Sequence, residues 1–104
     1  MKINPYYFKI FNYINLYMCI EELRKKIDKI DDKIINLLSE RLKYAIDISK
    51  YKKQNNIKIK QENREKQIFD RIEKLAEQKN ISVFFVKKLY RQIIDETVKA
   101  EEDN

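Results

Sequence analysis

The sequence predicts an all-α fold in which one long helix precedes two shorter ones. Apolar residues recur at alternating steps of three and four over more than four heptads, which is the spacing of a helix face. Two Asn-containing breaks divide the remaining chain, and no run of useful length alternates apolar and polar residues as a strand would. The 104 residues suffice for one domain but not for two.

The first helix is predicted over residues 20–53. Its apolar face comprises Ile20, Leu23, Ile27, Ile30, Ile34, Leu37, Tyr44, Ile48 and Tyr51, with Arg41 at one of the positions that this spacing reserves for an apolar residue. At 1.5 Å per residue the helix would be about 50 Å long. A rod of that length cannot bury its apolar face on itself, so it requires other helices of the chain, a second copy, or both.

Two shorter helices are predicted after the segment 54–60, where paired Asn residues indicate a turn. The second helix runs from about Gln61 to Gln78, with Ile68, Ile72 and Leu75 on one face. Ser82 is a good N-cap for the third. The apolar stripe of this third helix comprises Val86, Leu89, Tyr90, Ile93, Ile94, Thr97 and Val98.

The first 17 residues are predicted to be a loosely attached, loosely ordered extension, and residues 18–104 to form the helical domain. Lys9, Asn12 and Asn15 interrupt the apolar residues of the extension, so it does not resemble a secretory signal. No stretch approaches the ~20 apolar residues of a membrane span. With one cysteine, Cys19, we expect a cytoplasmic protein without a membrane partner.

Composition excludes several classes of site. The chain has no Gly and no His and a single Cys, so phosphate-binding glycine loops, ordinary zinc sites and His-based nucleophiles are excluded. We therefore expect neither a metal nor a cofactor. The net charge of +6 and pI near 9.3 would suit nucleic acid. We expect no nucleic-acid partner, because the basic residues are interspersed with acidic ones.

Arginines are scarce in this lysine-rich chain, which makes each a candidate for binding a carboxylate through two parallel hydrogen bonds. Five of the 23 basic residues are Arg: Arg24, Arg41, Arg64, Arg71 and Arg91. Arg41 interrupts the apolar face of the first helix, and Lys52, eleven residues later, lies on the same stripe.

The other predicted helices also place polar residues on their apolar faces. Glu65 precedes Ile68 by three residues, and Gln61 lies one turn before Glu65. On the third helix, Thr97 and Glu101 continue the apolar line. Charges directed at a core require partners or water. The pattern therefore indicates either an internal salt-bridge network or a cavity for a polar ligand.

The charges of this cluster would suit a small dianion if the interior is a cavity. Arg41, Lys52 and Arg64 bring three positive charges against Glu65 and Glu101. Adding Arg24 raises the positive surplus to two. The alternative reading is that Arg41 only packs, or that it pairs with Glu65 across helices.

These residues resemble the all-helical chorismate mutases, in particular the stand-alone bacterial and archaeal ones. The likeness covers about residues 19–102. The family opening of Leu-Arg, alternating Ile and Asp, and Leu-Leu-x-Glu-Arg is present as Leu23, Arg24, Ile27, Asp28, Ile30, Asp31, Leu37, Leu38, Glu40 and Arg41. Lys52 and the Arg64-Glu65 pair follow at the family's intervals. Arg71 and Arg91 do not fall on motif positions and are interpreted as surface residues.

The resemblance implies an intertwined homodimer of three-helix chains. Arg24 would reach into the partner's site, while Arg41 and Lys52 would bind substrate from the same chain. Arg64 and Glu65 match the family's Arg-Glu pair, in which the Glu accepts a hydrogen bond from the substrate's ring hydroxyl. Gln61 stands where many bacterial members have Asp. Thr97 and Glu101 stand where those members have Ser and Gln, a pair similar to that of the fungal enzymes.

The implied activity is the rearrangement of chorismate, a dicarboxylate, to prephenate in phenylalanine and tyrosine biosynthesis, a branch of the shikimate pathway. The enzyme would be an intramolecular transferase with Arg41, Lys52 and Glu101 as catalytic residues. Substrate-binding residues would be Arg24, Arg41, Lys52, Gln61, Arg64, Glu65, Thr97 and Glu101. Three alternatives stay open: an isochorismate-pyruvate lyase on the same scaffold, a non-catalytic helical interaction module, and a basic nucleic-acid binder.

Overall fold

The computed structural model describes residues 4–58 and 62–104, which form three α-helices. Helix α1 spans Pro5–Gln54, α2 spans Glu62–Gln78 and α3 spans Val83–Asp103. The all-α class with one long and two shorter helices is confirmed. Helix α1 begins well before residue 20, where the apolar spacing places its start. Gln61, predicted to open the second helix, lies outside the described residues.

Asn4 and Pro5 explain where α1 begins. The Asn4 side-chain oxygen accepts a hydrogen bond from the backbone N–H of Tyr6 at 2.9 Å, as an N-cap does. Pro5 follows as the first helical residue, a position where its fixed φ and missing N–H cost nothing. Residues 5–17 are therefore helical. Their description as a loosely attached extension stays a prediction.

Helices α1 and α2 both end on an Asn in the left-handed conformation. Asn56 and Asn80 each have a φ of 56°, a region that only Gly and, less readily, Asn or Asp enter. The next residue then donates back across five positions, Ile57 N–H to the Lys52 carbonyl at 2.8 Å and Ile81 N–H to the Ala76 carbonyl at 2.9 Å. These are Schellman ends, so Asn performs in this glycine-free chain the role that Gly usually has.

Ser82 caps α3 as the sequence predicts. Its side-chain oxygen accepts a hydrogen bond from the backbone N–H of Phe85 at 3.2 Å. A short α2–α3 connection closed by Asn80 and Ser82 leads directly from one helix into the next.

Contacts divide the chain into two units, Met1–Ser39 and Glu40–Asn104. The second unit has an apolar core of Ile68 and Ile72 from α2 and Ile94 from α3. Partly buried residues packed against this core are Phe69, Val86, Tyr90 and Val98. Ala76, rather than the predicted Leu75, is the last buried residue of α2, since Leu75 is 47% exposed.

The first unit contains only α1 among its described residues, and its apolar side chains are exposed. They include a stripe, called here the α1 stripe, formed by Ile20, Leu23, Ile27, Ile30, Ile34 and Leu37. Exposure of these six residues ranges from 38% for Ile20 to 61% for Leu37. A contiguous apolar surface of this kind marks an interaction site.

Candidate active site

The second unit contains a pocket of about 500 Å³, within the range of small-molecule sites. All three helices line it. Its lining comprises Arg41, Tyr44, Ala45, Ile48 and Lys52 from α1, Arg64, Glu65, Ile68 and Arg71 from α2, and Ile94, Thr97, Val98 and Glu101 from α3. This set is called here the cationic pocket.

The cationic pocket has more positive than negative side chains. Arg41, Lys52, Arg64 and Arg71 carry four positive charges, whereas Glu65 and Glu101 carry at most two negative ones. The remaining wall is mostly apolar, and apolar surroundings strengthen the attraction between a bound anion and these cations. The arrangement can hold a small compound with two carboxylates.

Arg41 and Thr97 join α1 to α3 inside the pocket. Arg41 Nη1 donates a hydrogen bond to Thr97 Oγ1 at 3.1 Å. The Thr97 hydroxyl donates in turn to the Ile93 carbonyl at 2.7 Å, one turn earlier on α3. Because its proton is committed to that carbonyl, the hydroxyl presents a lone pair to Arg41 and orients the guanidinium.

Glu101 is a buried carboxyl group in the cationic pocket, with 8% of the residue exposed. Burial raises the pKa of Glu101 above its ordinary value of 4.5, while the charges of Lys52 and Arg41 oppose that rise. Lys53 holds the backbone beside it, since its Nζ donates to the carbonyls of Glu101, at 3.2 Å, and of Asn104. The site thus contains a carboxyl group that keeps its proton to a higher pH than an ordinary glutamic acid does.

Glu65 lines the pocket and forms an ion pair with Arg91 of α3. Arg91 Nη2 lies 3.3 Å from Glu65 Oε1, and Nη1 donates to Oε2 at 3.5 Å. The same Nη2 lies 3.2 Å from Asp95 Oδ1. Burial lowers the pKa of Arg91, but the hydrogen bond and charge of Glu65, helped by Asp95, raise it above its ordinary value. Arg91, interpreted from the sequence as a surface residue, therefore forms a bridge between two helices.

Six of the eight predicted site residues line this pocket. They are Arg41, Lys52, Arg64, Glu65, Thr97 and Glu101. Gln61 lies outside the described residues. Arg24 belongs to the first unit, where its Nη1 forms an exposed ion pair with Glu21 Oε1 at 3.0 Å.

Arg71 is a pocket residue that the sequence reading assigned to the surface. Its position carries a signal for this placement, because residues seven apart lie on nearly the same helix face and Arg71 follows Arg64 by seven. Arg71 is exposed, so it lies where the pocket meets solvent.

Within residues 4–58 and 62–104, His, Cys, Asp and Glu form no group of three that could hold a metal ion. None of the three helices in these ranges combines the length and the hydropathy of a membrane span.

Comparison with known proteins places the chain in a family. Residues 23–102 match the family model for chorismate mutase type II. The chain is 41% identical over 76 residues to a chorismate mutase of Methanocaldococcus jannaschii, an alignment that covers 73% of this chain and 77% of that protein.

Bifunctional proteins are also similar to this chain over one part of their length. Identity to the bifunctional chorismate mutase/prephenate dehydratase of Aquifex aeolicus is 39% over 85 residues, covering 79% of this chain and 24% of that protein. For the protein of the same name in Escherichia coli, identity is 26% over 80 residues, covering 77% and 21%. The chain spans a quarter or less of these two relatives. It belongs to the chorismate mutase type II family.

Proposed function

We propose that the chain is a chorismate mutase that rearranges chorismate to prephenate in its cationic pocket. The observation that carries the proposal is that Arg41, Lys52 and Glu101 line the same pocket, which has a surplus of positive charge. Chorismate has two carboxylates, and the pocket volume suits a molecule of its size. Family membership supports the same activity.

The rearrangement breaks a carbon–oxygen bond and forms a carbon–carbon bond within one molecule. It requires no nucleophile and no net proton transfer. Catalysis then rests on holding the flexible substrate in its compact reactive conformer and on stabilising the negative charge that grows on the ether oxygen. The pocket is suited to both tasks, since its lining includes cations and hydrogen-bond donors carried on three helices.

Arg41, Lys52 and Glu101 have separate roles in this proposal. Arg41, oriented by Thr97, would bind one substrate carboxylate, and Arg24 of a second copy would bind the other. Lys52 would donate to the ether oxygen from one side, and protonated Glu101 from the other. The burial that raises the pKa of Glu101 supports this donor role.

Arg64 and Glu65 complete the binding set. Arg64 adds positive charge beside the carboxylates, and the carboxylate of Glu65 would accept a hydrogen bond from the ring hydroxyl. Gln61 is kept as a substrate-binding residue of the proposal on the strength of the family resemblance.

A homodimer is part of the proposal. The exposed α1 stripe supports it, because a second α1 would remove these six apolar side chains from water at about 25 cal/mol per Å². Arg24 is on the same helix, and its ion pair with Glu21 is exposed and therefore weak, so its guanidinium can exchange that partner for a substrate carboxylate.

Mixing two inactive variants tests whether Arg24 acts in the partner's site. Arg24→Ala and Arg41→Ala chains are each expected to be inactive alone. After unfolding and refolding together, half of the dimers are mixed and each has one intact site, so roughly a quarter of the parent activity should return. If Arg24 acted in its own subunit, no mixed dimer would contain an intact site and the mixture would stay inactive.

The activity itself is tested by incubating the purified chain with chorismate and identifying the product. We expect stoichiometric conversion to prephenate. Chorismate that remains unchanged would contradict the proposal, and so would release of pyruvate from isochorismate without turnover of chorismate, which would indicate the lyase alternative. The place in phenylalanine and tyrosine biosynthesis and the cytoplasmic location remain predictions alongside this activity.

A further inference from the structure

We propose that Arg91 is a positioning residue that orients the Glu65 carboxylate toward the substrate's ring hydroxyl. The inference rests on the proposed function, because it concerns how that site reads its substrate. Glu65 lines the cationic pocket, whereas Arg91 does not. Arg91 therefore acts on the substrate only through Glu65.

The contact geometry supports this division of roles. Both oxygens of Glu65 face the guanidinium of Arg91, with Nη2 at 3.3 Å from Oε1 and Nη1 at 3.5 Å from Oε2. A carboxylate oxygen has more than one lone pair, so a contact with Arg91 is compatible with accepting a hydrogen bond from a ligand as well. A hydroxyl donor in the pocket suits such a carboxylate.

Arg91 is itself held in place by two other groups. Its Nη2 lies 3.2 Å from Asp95 Oδ1, one turn later on α3. The Arg91 Cζ lies 5.2 Å from the centre of the Phe69 ring on α2, within the range of a cation–π contact. Phe69 packs against the apolar core, so this contact ties Arg91 to the core of the second unit.

The exposed fractions of the two side chains also fit a positioning role for Arg91. The Glu65 side chain is only 16% exposed, whereas that of Arg91 is 43% exposed. A carboxylate that is mostly removed from water requires a defined partner. Arg91 supplies the charge and the planar fork that hold this pocket-lining carboxylate in one orientation.

The experiment compares Arg91→Gln and Arg91→Lys with the parent on two ligands. One is chorismate, and the other is an analogue in which hydrogen replaces the ring hydroxyl, used as a competitive inhibitor. We expect Arg91→Gln to raise the KM for chorismate about ten-fold or more with a smaller change in kcat, since misplacement of a binding group is costly. The inhibition constant of the analogue should not change, and Arg91→Lys should recover part of the loss.

Lys87→Gln is the matched control. Lys87 Nζ pairs with Glu73 Oε2 at 3.2 Å and joins the same two helices, but neither residue lines the pocket. The Lys87→Gln variant should have the KM of the parent, and its melting temperature should be similar to that of Arg91→Gln. An equal loss for both ligands in Arg91→Gln would assign Arg91 a merely structural role and overturn the inference, as would an unchanged KM for chorismate. Absence of activity in the parent chain would instead refute the proposed function.

Discussion

Arg41 Nη1 and Thr97 Oγ1 are 3.1 Å apart, and this hydrogen bond links α1 to α3 within the cationic pocket. The Thr97 hydroxyl can only accept from Arg41, because its own proton is donated to the Ile93 carbonyl. Because the side chain of Arg41 is already ordered, binding a carboxylate does not incur the entropy cost of ordering it. The link therefore prepares the site for an anion.

Thr97→Val should lower kcat/KM by about ten-fold, because it removes a hydrogen bond to a charged group worth about 1.5 kcal/mol while preserving side-chain shape. Thr97→Ser retains the hydroxyl and should stay within a few-fold of the parent. Steady-state kinetics on chorismate measure both variants. Equal activity of the Val and Ser variants would contradict an orienting role for the hydroxyl.

Glu101→Gln should flatten the pH dependence of the rate. In the parent, the donor role of Glu101 requires its protonated form, so activity should fall as pH rises through the elevated pKa of this group. Gln donates at every pH, and the variant should exceed the parent at neutral pH. Rates of both proteins across pH provide the test, and identical profiles would remove Glu101 from the mechanism.

The same substitution should change the pH dependence of stability. Because the pKa of Glu101 is raised in the folded protein, ionisation costs stability: the cost is absent below its ordinary value of 4.5 and grows as pH rises through the raised value. Thermal unfolding of Glu101→Gln should thus occur at a higher temperature than that of the parent near pH 8, with little difference near pH 4. A constant difference across this range would exclude a raised pKa.

Lys53→Gln should loosen the end of α3 that carries Glu101. The Lys53 ammonium group binds the carbonyls of Glu101 and Asn104, where the negative end of the helix dipole favours a cation. Losing this contact should reduce kcat about two-fold to five-fold, and backbone amides of residues 101–103 should exchange faster by a similar factor. The exposed Lys50, substituted by Gln, is the control and should change neither quantity.

The helices were predictable from local chemistry. The spacing of three and four identifies all of them, and Asn56, Asn80 and Ser82 mark ends that depend only on residues within a few positions. The start at Pro5 was missed because the apolar residues of segment 5–17 do not follow the pattern of the later helix. Leu75 was predicted to be buried, but the interface of the second unit uses Ala76.

The candidate site was predictable where a polar residue interrupts an apolar face. Arg41, Glu65 and Glu101 do so, and all three line the pocket. The pairing of Arg91 with Glu65 gave no such signal, because it depends on how α2 and α3 are rotated against each other. That rotation follows from packing across the core, which a single sequence does not reveal.

A calorimetric titration tests most directly whether the cationic pocket binds the reacting dianion. The ligand is a bicyclic dicarboxylate that mimics the transition state. The parent should bind one equivalent per chain. Arg41→Ala and Lys52→Ala should each weaken binding at least about thirty-fold, as loss of one member of a buried charge pair does, whereas Lys43→Ala, an exposed lysine outside the pocket, should bind like the parent. Equal affinity of all four proteins, or no binding to the parent, would contradict the account.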